Sequence, residues 1–586
     1  DEVDLNTGIF TGTGGIVDSI DTLQITGFNY TNHEYASGWI TGAAITEGQA
    51  PDWGNPIAEM MYEGLRYFAG AAPTLEFSGG IGPLGLPAPT WSSPFDNGYA
   101  SCAKPVQLVI SDVNSSYDSD QLPGSYFNSG FSGSLEGRAL EGQPSQATNM
   151  NVSSLADDIW TKESYTTGEI FIGESGSDPA PSAIGTPSAK LVTSFANIRG
   201  LAPEEPTKLG SYYAGSVALF GKSYDLHTAD GDQTVDTIAV ALASPLPRIE
   251  IPVSGQIVTL VPFAKSVGKN DGTIYDLFQP TNQIVDFYVE IIVNTVETDV
   301  DAGVVGNTDT TVNSGRPYGK FRINYEDVEQ AADHDMDAIV EYEFLVNASN
   351  QVVVTLNSTY AAGGIIQHLG YVISGTTADG TYLEVRDYDT LSSNYIDYIL
   401  DTPPGELPDG AWDDGEALPL FAQRTFTPGS STSASFIEHD PLWYAAKWSM
   451  TDENENNILE SEEWDADADG TPDGYFLVTN AGTLEERLNK AFEEIVSRTT
   501  SAAASATNST RLDANSKVYQ ARFNSNDWTG QLLSFDLDDT TGSIGTQAWD
   551  AATLIPAENS RNIFSYNPSP DDGSNPKGIV FEYSNT

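Results

Sequence analysis

Ten carboxylates and no lysine or arginine fall between Asp452 and Asp473, in a stretch, DENENNILESEEWDADADGTPDGYF, that runs on into Tyr-Phe-Leu-Val. Like charges at that density repel, and such blocks usually stay solvated and disordered. Here their spacing is regular. Asp452, Asn454 and Asn456 take positions 1, 3 and 5 of a twelve-residue loop, Ile458 offers a backbone carbonyl at position 7, and Glu463 stands at position 12, where a bidentate carboxylate closes an EF-hand cage. Asn457 replaces the usual turn glycine, and Asn tolerates a left-handed backbone better than most residues. A second loop begins at once: Asp465, Asp467, Asp469, Gly470 and Asp473 read D-x-D-x-D-G-x-x-D, with Thr471 at the carbonyl position and Phe476 where the closing Glu is expected. Its cage needs completing from Glu462, Glu463 or water. Hard oxygens at alternating positions suit Ca2+, whereas zinc wants His or Cys and magnesium keeps its waters. The alternative is a solvated acidic loop.

Weaker cation candidates are Asp333, Asp335 and Asp337 of DHDMDA, crowded on one face of a strand or turn. HTADGDQTVD adds Asp230, Asp232 and Asp236, a pattern that is more often just an acidic hairpin. Catalysis has little support. The chain has no H-E-x-x-H, G-x-S-x-G or glycine-rich phosphate loop, and His33, His227, His334, His368 and His439 are scattered, as surface or satisfied core histidines would be. Carboxylate pairs are too numerous to single out a glycosidase pair.

The balance of 83 acidic to 25 basic residues, a formal charge of -58, repels nucleic-acid phosphates and anionic membrane surfaces. No run approaches the ~18 apolar residues of a membrane span. Cys102 is the single cysteine, which excludes an internal disulfide and a multi-cysteine zinc site. It reads as a small buried residue, pairing with a separate amino-terminal fragment being the other reading. Asp1, with no initiator Met and no signal-peptide pattern, reads as a processed start. With 54 Gly, 27 Tyr and 10 Trp, the composition predicts a β-rich, loop-rich exterior protein, and secretion is expected.

The elements that must position these groups change character along the chain. WGNPIAEMMYEGLRYFAG puts Ile57, Met60, Met61, Leu65 and Phe68 on one helical stripe, with Pro56 in the first turn, where its missing N–H costs little. CAKPVQLVISDV gives a strand from Val106 to Ile110 that ends at Asp112. The polar stretch from about 125 to 165 reads as an insertion. KLGSYYAGSVALFGKSYDLH predicts a second helix and TVDTIAVALAS a second buried strand. Strands alternating with helices predict an α/β sheet. From Arg248 to about Ile437, IVDFYVEIIVNTV, KFRINYED, AIVEYEFLV, QVVVTLNS and LGYVISGT predict a β-sandwich, and 401–419 an acidic surface loop. The aromatics of PLWYAAKW are expected to pack a core rather than bind sugar. Thr483 and Glu486 suggest a capping box opening a helix to Arg498, with Leu484, Leu488, Phe492 and Ile495 on one face. RTTSAAASATNST reads as a linker.

HDPLWYAAKW, the acidic loops, DGYFLVTN, LEERLNKAFEEI and VYQARFNSNDWTGQLLSF, taken in that order, resemble the type IV pilus tip and biogenesis proteins called PilC or PilY. CAKPVQLVISDVNSSYDSDQLPG, WGNPIAEMMYEGLRYF, DTIAVALASPLPRIEIP and ADHDMDAIVEYEF look like the amino-terminal half of the same family. The resemblance implies a von Willebrand factor A-like domain in front and a β-propeller behind. No D-x-S-x-S precedes the Asn55 helix, and Asn55 stands where such domains usually place a Thr metal ligand, while Asp112 matches their later carboxylate, which the resemblance implies as a further, weaker metal candidate. The expected organisation is an A-like α/β domain over 1–247 with its front strand missing, a sandwich-like domain over 248–440, a calcium-loop and helix segment over 441–500, and a linker with strands over 501–586. The implied protein is a non-enzymatic, cell-surface adhesin or assembly factor at the pilus tip. Its partners would be minor pilins, a host or abiotic surface, and an amino-terminal fragment or neighbouring subunit that completes the A-like sheet. A calcium-stabilised subunit of an extracellular filament or surface layer is the second reading, and an extracellular hydrolase ranks last.

Overall fold

The computed structural model describes residues 54–75, 77, 91–143, 145–176, 188–202, 206–243, 246–266, 281–296, 307–326, 336–362, 366–391, 418–429, 434–451 and 459–500, with shorter pieces between 7 and 35 and between 504 and 580. They form a mixed α/β molecule with antiparallel sheets, in two compact units, 1–491 and 492–586.

The α/β layer of the first unit is a three-stranded parallel sheet. Asp236–Leu242 lies at its centre, paired with Val106–Asp112 on one side and Tyr475–Val478 on the other. The first two strands were legible as apolar runs, and the central one is buried from Asp236 to Ala241. The third strand comes from beyond the β-rich region, so the layer is discontinuous in sequence. Helix Pro441–Trp448 enters the same core. Asp440 caps it, with Oδ1 accepting from the N–H groups of Leu442 (2.8 Å) and Trp443 (3.0 Å), while Oδ2 accepts from the Tyr475 hydroxyl (2.6 Å). One carboxylate thus ties the helix to the returning strand. All of Leu442, Trp443, Tyr444, Ala445, Ala446 and Trp448 are buried, so the PLWYAAKW aromatics pack the core.

Helix Ile57–Phe68 buries Ile57, Met61 and Leu65 as expected, but Met60 is 54% exposed. Its neighbours Glu59 and Glu63 turn inward instead, to accept backbone N–H groups of the loops that cover the helix. The stretch 125–165 is not a bare insertion. It contains helix Val152–Lys162, N-capped by Asn151, with Val152, Ala156, Ile159 and Trp160 buried. That helix packs against Tyr213–Ser223, which in turn meets Pro441–Trp448 at Gly215. Cys102 is exposed, on the turn that precedes Val106–Asp112, and is not the buried residue expected.

The β-sandwich pairs a four-stranded antiparallel sheet (Ile249–Val253, Gln256–Ser266, Gln367–Ser374, Gly380–Arg386) with a five-stranded one. The second runs in the order Gln283–Val293, Tyr318–Glu326, Ala338–Val346, Val352–Ala361, Phe421–Phe426. Ala338–Val346 alternates strictly, its buried side meeting the other sheet, as in one-sided antiparallel sheets. Gln367–Ser374 is buried along its whole length, because its second face packs on Phe171, Leu246 and Ala434. The 401–419 loop lies outside the described residues except for its last two.

Ahead of helix Leu484–Thr500 the expected capping box is absent. Asn480 caps a single turn, Ala481–Thr483, by accepting from Gly482, and the Thr483 hydroxyl donates to the Asn480 carbonyl. The proposed linker is partly structured: the helix runs to Thr500, and Ala504–Thr507 pairs with Lys517–Asn524. Taken by itself, the second unit is a four-stranded antiparallel sheet with a short hairpin, Phe564–Tyr566 and Gly578–Val580.

Candidate metal centre

The acidic loop is built on a one-turn helix, Ser461–Trp464. Glu460 and Glu463 form its capping box, the Glu463 carboxylate accepting from the Glu460 N–H at 2.9 Å. Asp465 follows as C-cap and is buried, with one oxygen accepting from Asp469 N and the other from Gly470 N, both at 2.9 Å. This curls the chain into a nest. Ala468 and Gly470 hold the tight curve with φ of 59° and 85°, and a Cβ at Gly470 would meet nothing within 4 Å, so its glycine serves the left-handed backbone. Asp469 accepts from Thr471 N at 2.8 Å, and Asp473 accepts from Ala466 N at 3.3 Å. Oxygens of Asp465, Asp467 and Asp469 then lie within 4.8 Å of one another, the one such group of three among the described residues. An all-carboxylate set with lone pairs left over fits a hard cation. At that separation two exposed carboxylates repel by only about 1 kcal/mol in water, so the triad can also stand without an ion.

Of the first loop, Asp452, Asn454, Asn456 and Ile458 lie outside the described residues, as do Asp333 and Asp335. Asp337 is buried at the start of Ala338–Val346, with its backbone bonded to Tyr325 and Ala362. Asp112 accepts from Asn114 N (2.8 Å) and from the Asn55 side-chain amide (3.4 Å), which also donates to Ser111 Oγ at 2.9 Å. Its neighbours in this cluster are thus amide and hydroxyl groups. Asp230, Asp232 and Asp236 are not gathered on one cation: Asp236 pairs with Lys222 (2.7 Å) and Lys104 (3.1 Å), while Asp232 accepts from Glu141 N.

Glu59 and Asp118 are among the buried acids that the sequence reading missed. Glu59 accepts from Gln121 N (2.9 Å) and Asp120 N (3.3 Å); Asp118 accepts from Ser211 N (2.7 Å). Burial pushes Glu59 up to about 9 and Asp118 up to about 6. Nothing in SSYDSDQ marks which of its acids turns inward. The folded chain keeps the Glu59 proton where the unfolded chain has lost it. Its contribution is therefore full below the ordinary value of 4.5 and drains away as pH rises toward 9. Glu59→Gln should melt above the parent at pH 8, by the equivalent of up to ~5 kcal/mol, and level with it near pH 4.5. Parallel melting curves for the two proteins across that range would refute the buried neutral acid.

The sequence family described as PilY1 homolog, second domain, matches residues 1–221, and the one described as PilY1 homolog, beta-sandwich, matches residues 251–418. A type IV pilus biogenesis factor PilY1 homolog of Xylella fastidiosa is 42% identical over 575 residues, which is 93% of this chain and 37% of that protein. A second of the same name and organism is 32% identical over 80 residues, 14% of this chain and 6% of its own length. No solved structure matches. The chain thus spans little more than a third of the first relative. The second matched stretch coincides with the observed sandwich, and no helix among the described residues is long and apolar enough to cross a membrane. With both domains matched in order and nearly its whole length aligned to a named homolog, the chain belongs to the PilY1-homolog family.

Proposed function

We propose that this chain is the α/β and sandwich portion of a non-enzymatic type IV pilus assembly factor that sits at the fibre tip and acts there as an adhesin. The observation that carries the reading is the alignment of 93% of the chain with a protein named as a type IV pilus biogenesis factor. In this reading the protein is secreted and pilus-associated, minor pilins hold it, and a host or abiotic surface is its target. The parallel layer is a von Willebrand factor A-like sheet. Among the described strands, Val106–Asp112 pairs on one edge only, and the other edge takes a strand from another polypeptide. Calcium occupies the Asp465–Asp473 loop, and the Asp452–Glu463 loop beside it takes a second ion. Supporting this are the hard-oxygen triad and the nest that aims it.

Antibody against this chain, gold-labelled and viewed by electron microscopy on piliated cells, should mark fibre ends. Label distributed along the fibre length would replace the tip factor with a structural subunit.

A further inference from the structure

A cleft of about 1140 Å³ opens at the carboxyl ends of the three parallel strands, lined by Val113 and Asn114 after one, Ala243 after the next and Thr479 after the third. Loops diverge from strand ends there, which leaves room for a ligand among backbone and loop side chains. Glu250, Glu438, Asp440, Asp467, Asp469 and Asp473 line this cleft, so that without an ion it is acidic on balance, and so do Arg248, Arg487 and Lys490, three of only 25 basic residues in the chain. Lys490 is engaged by Glu486 at 2.9 Å, and Arg248 stands 3.7 Å from Glu250. The Nε of Arg487 is buried and makes no hydrogen bond. A buried N–H donor without an acceptor is costly, and a carboxylate suits the planar guanidinium fork. His439, stacked on Trp443 at 3.7 Å, is held down to about 4 by burial and by Lys447 and Arg248, so it adds no charge at neutral pH.

We propose that this cleft binds a carboxylate-bearing segment of an acidic partner polypeptide, one carboxylate on Arg487 and a second on the cation of the neighbouring loop. The second contact rests on the calcium reading above. Phe476 occupies the position of the closing Glu, so the loop offers an ion fewer carboxylates than a complete cage, and an incoming one fills the place. Without the ion, Asp467, Asp469 and Asp473 repel the same ligand. Calcium thereby turns one wall of the cleft from repulsive to attractive.

Isothermal titration of the whole chain with a capped Gly-Glu-Gly-Glu-Gly peptide and its glutamine counterpart tests this. The glutamate peptide should bind at least ~10-fold more tightly than the glutamine one, and lose ~10-fold or more in chelator. Arg487→Gln should cost a similar factor and leave unchanged the rise in melting temperature that calcium gives the parent, which also shows that the variant folds. Equal binding of the two peptides, or of parent and Arg487→Gln, overturns the site while the calcium melting shift stands. Glutamate-selective binding through Arg487 that is equal in calcium and chelator, in a chain whose melting ignores calcium, keeps the Arg487 site and overturns its calcium half together with the calcium reading.

Discussion

Replacing Tyr444 with Ala should destabilise the first unit by about 3–5 kcal/mol, the range for truncating a large buried side chain. Tyr444 is 1% exposed. Its ring stands 5.1 Å from Phe195 and 6.0 Å from Tyr212, and its hydroxyl shares a 2.9 Å hydrogen bond with Tyr165. Helix Tyr213–Ser223 reaches it through Gly215, where even a Cβ would come to 3.3 Å from the Tyr444 Cβ. Gly215 has no side chain of its own to swing into the void, so relaxation from that helix is limited and the cost stays high. Burial raises both phenols above their ordinary value, so the pair remains neutral and its bond is insensitive to pH in the physiological range. Tyr444→Phe should accordingly lose only about 1 kcal/mol, the worth of one hydrogen bond. Urea denaturation of the three proteins decides it: a loss under ~1 kcal/mol for Tyr444→Ala would mean that the 441–478 segment is not part of the α/β core.

The same segment marks the limit of what the sequence made legible. Val106–Asp112 and Asp236–Leu242 are apolar runs whose strand character is local, and Ile57, Met61 and Leu65 repeat at helical spacing. Tyr475–Val478 carries the same local signal, but its place beside Asp236–Leu242 is a long-range pairing that no local pattern encodes. Helix Val152–Lys162 was hidden by composition: Gly, Ser and Asp around it suggested an insertion, although Val152, Ala156, Ile159 and Trp160 already held the period. Met60 failed differently. On that helix the buried side also takes Glu59 and Glu63, whose carboxylates satisfy loop N–H groups, and hydrophobic patterning cannot foresee a buried acid. The Asp465–Asp473 spacing was readable because all its oxygens come from one short loop. The cations that share its cleft come from Arg248 and from the helix that carries Arg487 and Lys490, so only the folded chain brings them together.

Chelation should lower the melting temperature of the parent chain, and Asp467→Ala with Asp469→Ala should remove that dependence. The two side chains are exposed and, with Asp465, supply the three oxygen groups of the triad, so the substitutions open no cavity and leave the Asp465 nest intact. What they remove is affinity for a cation and the one exposed bond that Asp469 accepts from Thr471 N, a loss that is the same in calcium and in chelator. For a site with Kd near ~10 μM in ~1 mM calcium, linkage contributes RT ln(1 + [Ca]/Kd), about 2.7 kcal/mol, a large share of a domain's margin of ~5–15 kcal/mol. Carboxylate repulsion alone acts in the other direction: each exposed pair costs about 1 kcal/mol, less in salt, so deleting charge without an ion in play should stabilise the loop slightly. The two readings therefore differ in how variant and parent respond to calcium. A calcium-bound loop makes the double variant melt below the parent in calcium and level with it or slightly above it in chelator. A merely solvated acidic face makes the difference between variant and parent the same in both. The loop runs directly into Tyr475–Val478, an outer strand of the parallel sheet, so an ion that orders it also fixes that strand's entry, and the calcium increment should appear in the main unfolding transition rather than as a separate early one. Calorimetry in calcium and in chelator measures both: identical melting of the parent in the two would leave these carboxylates without a cation.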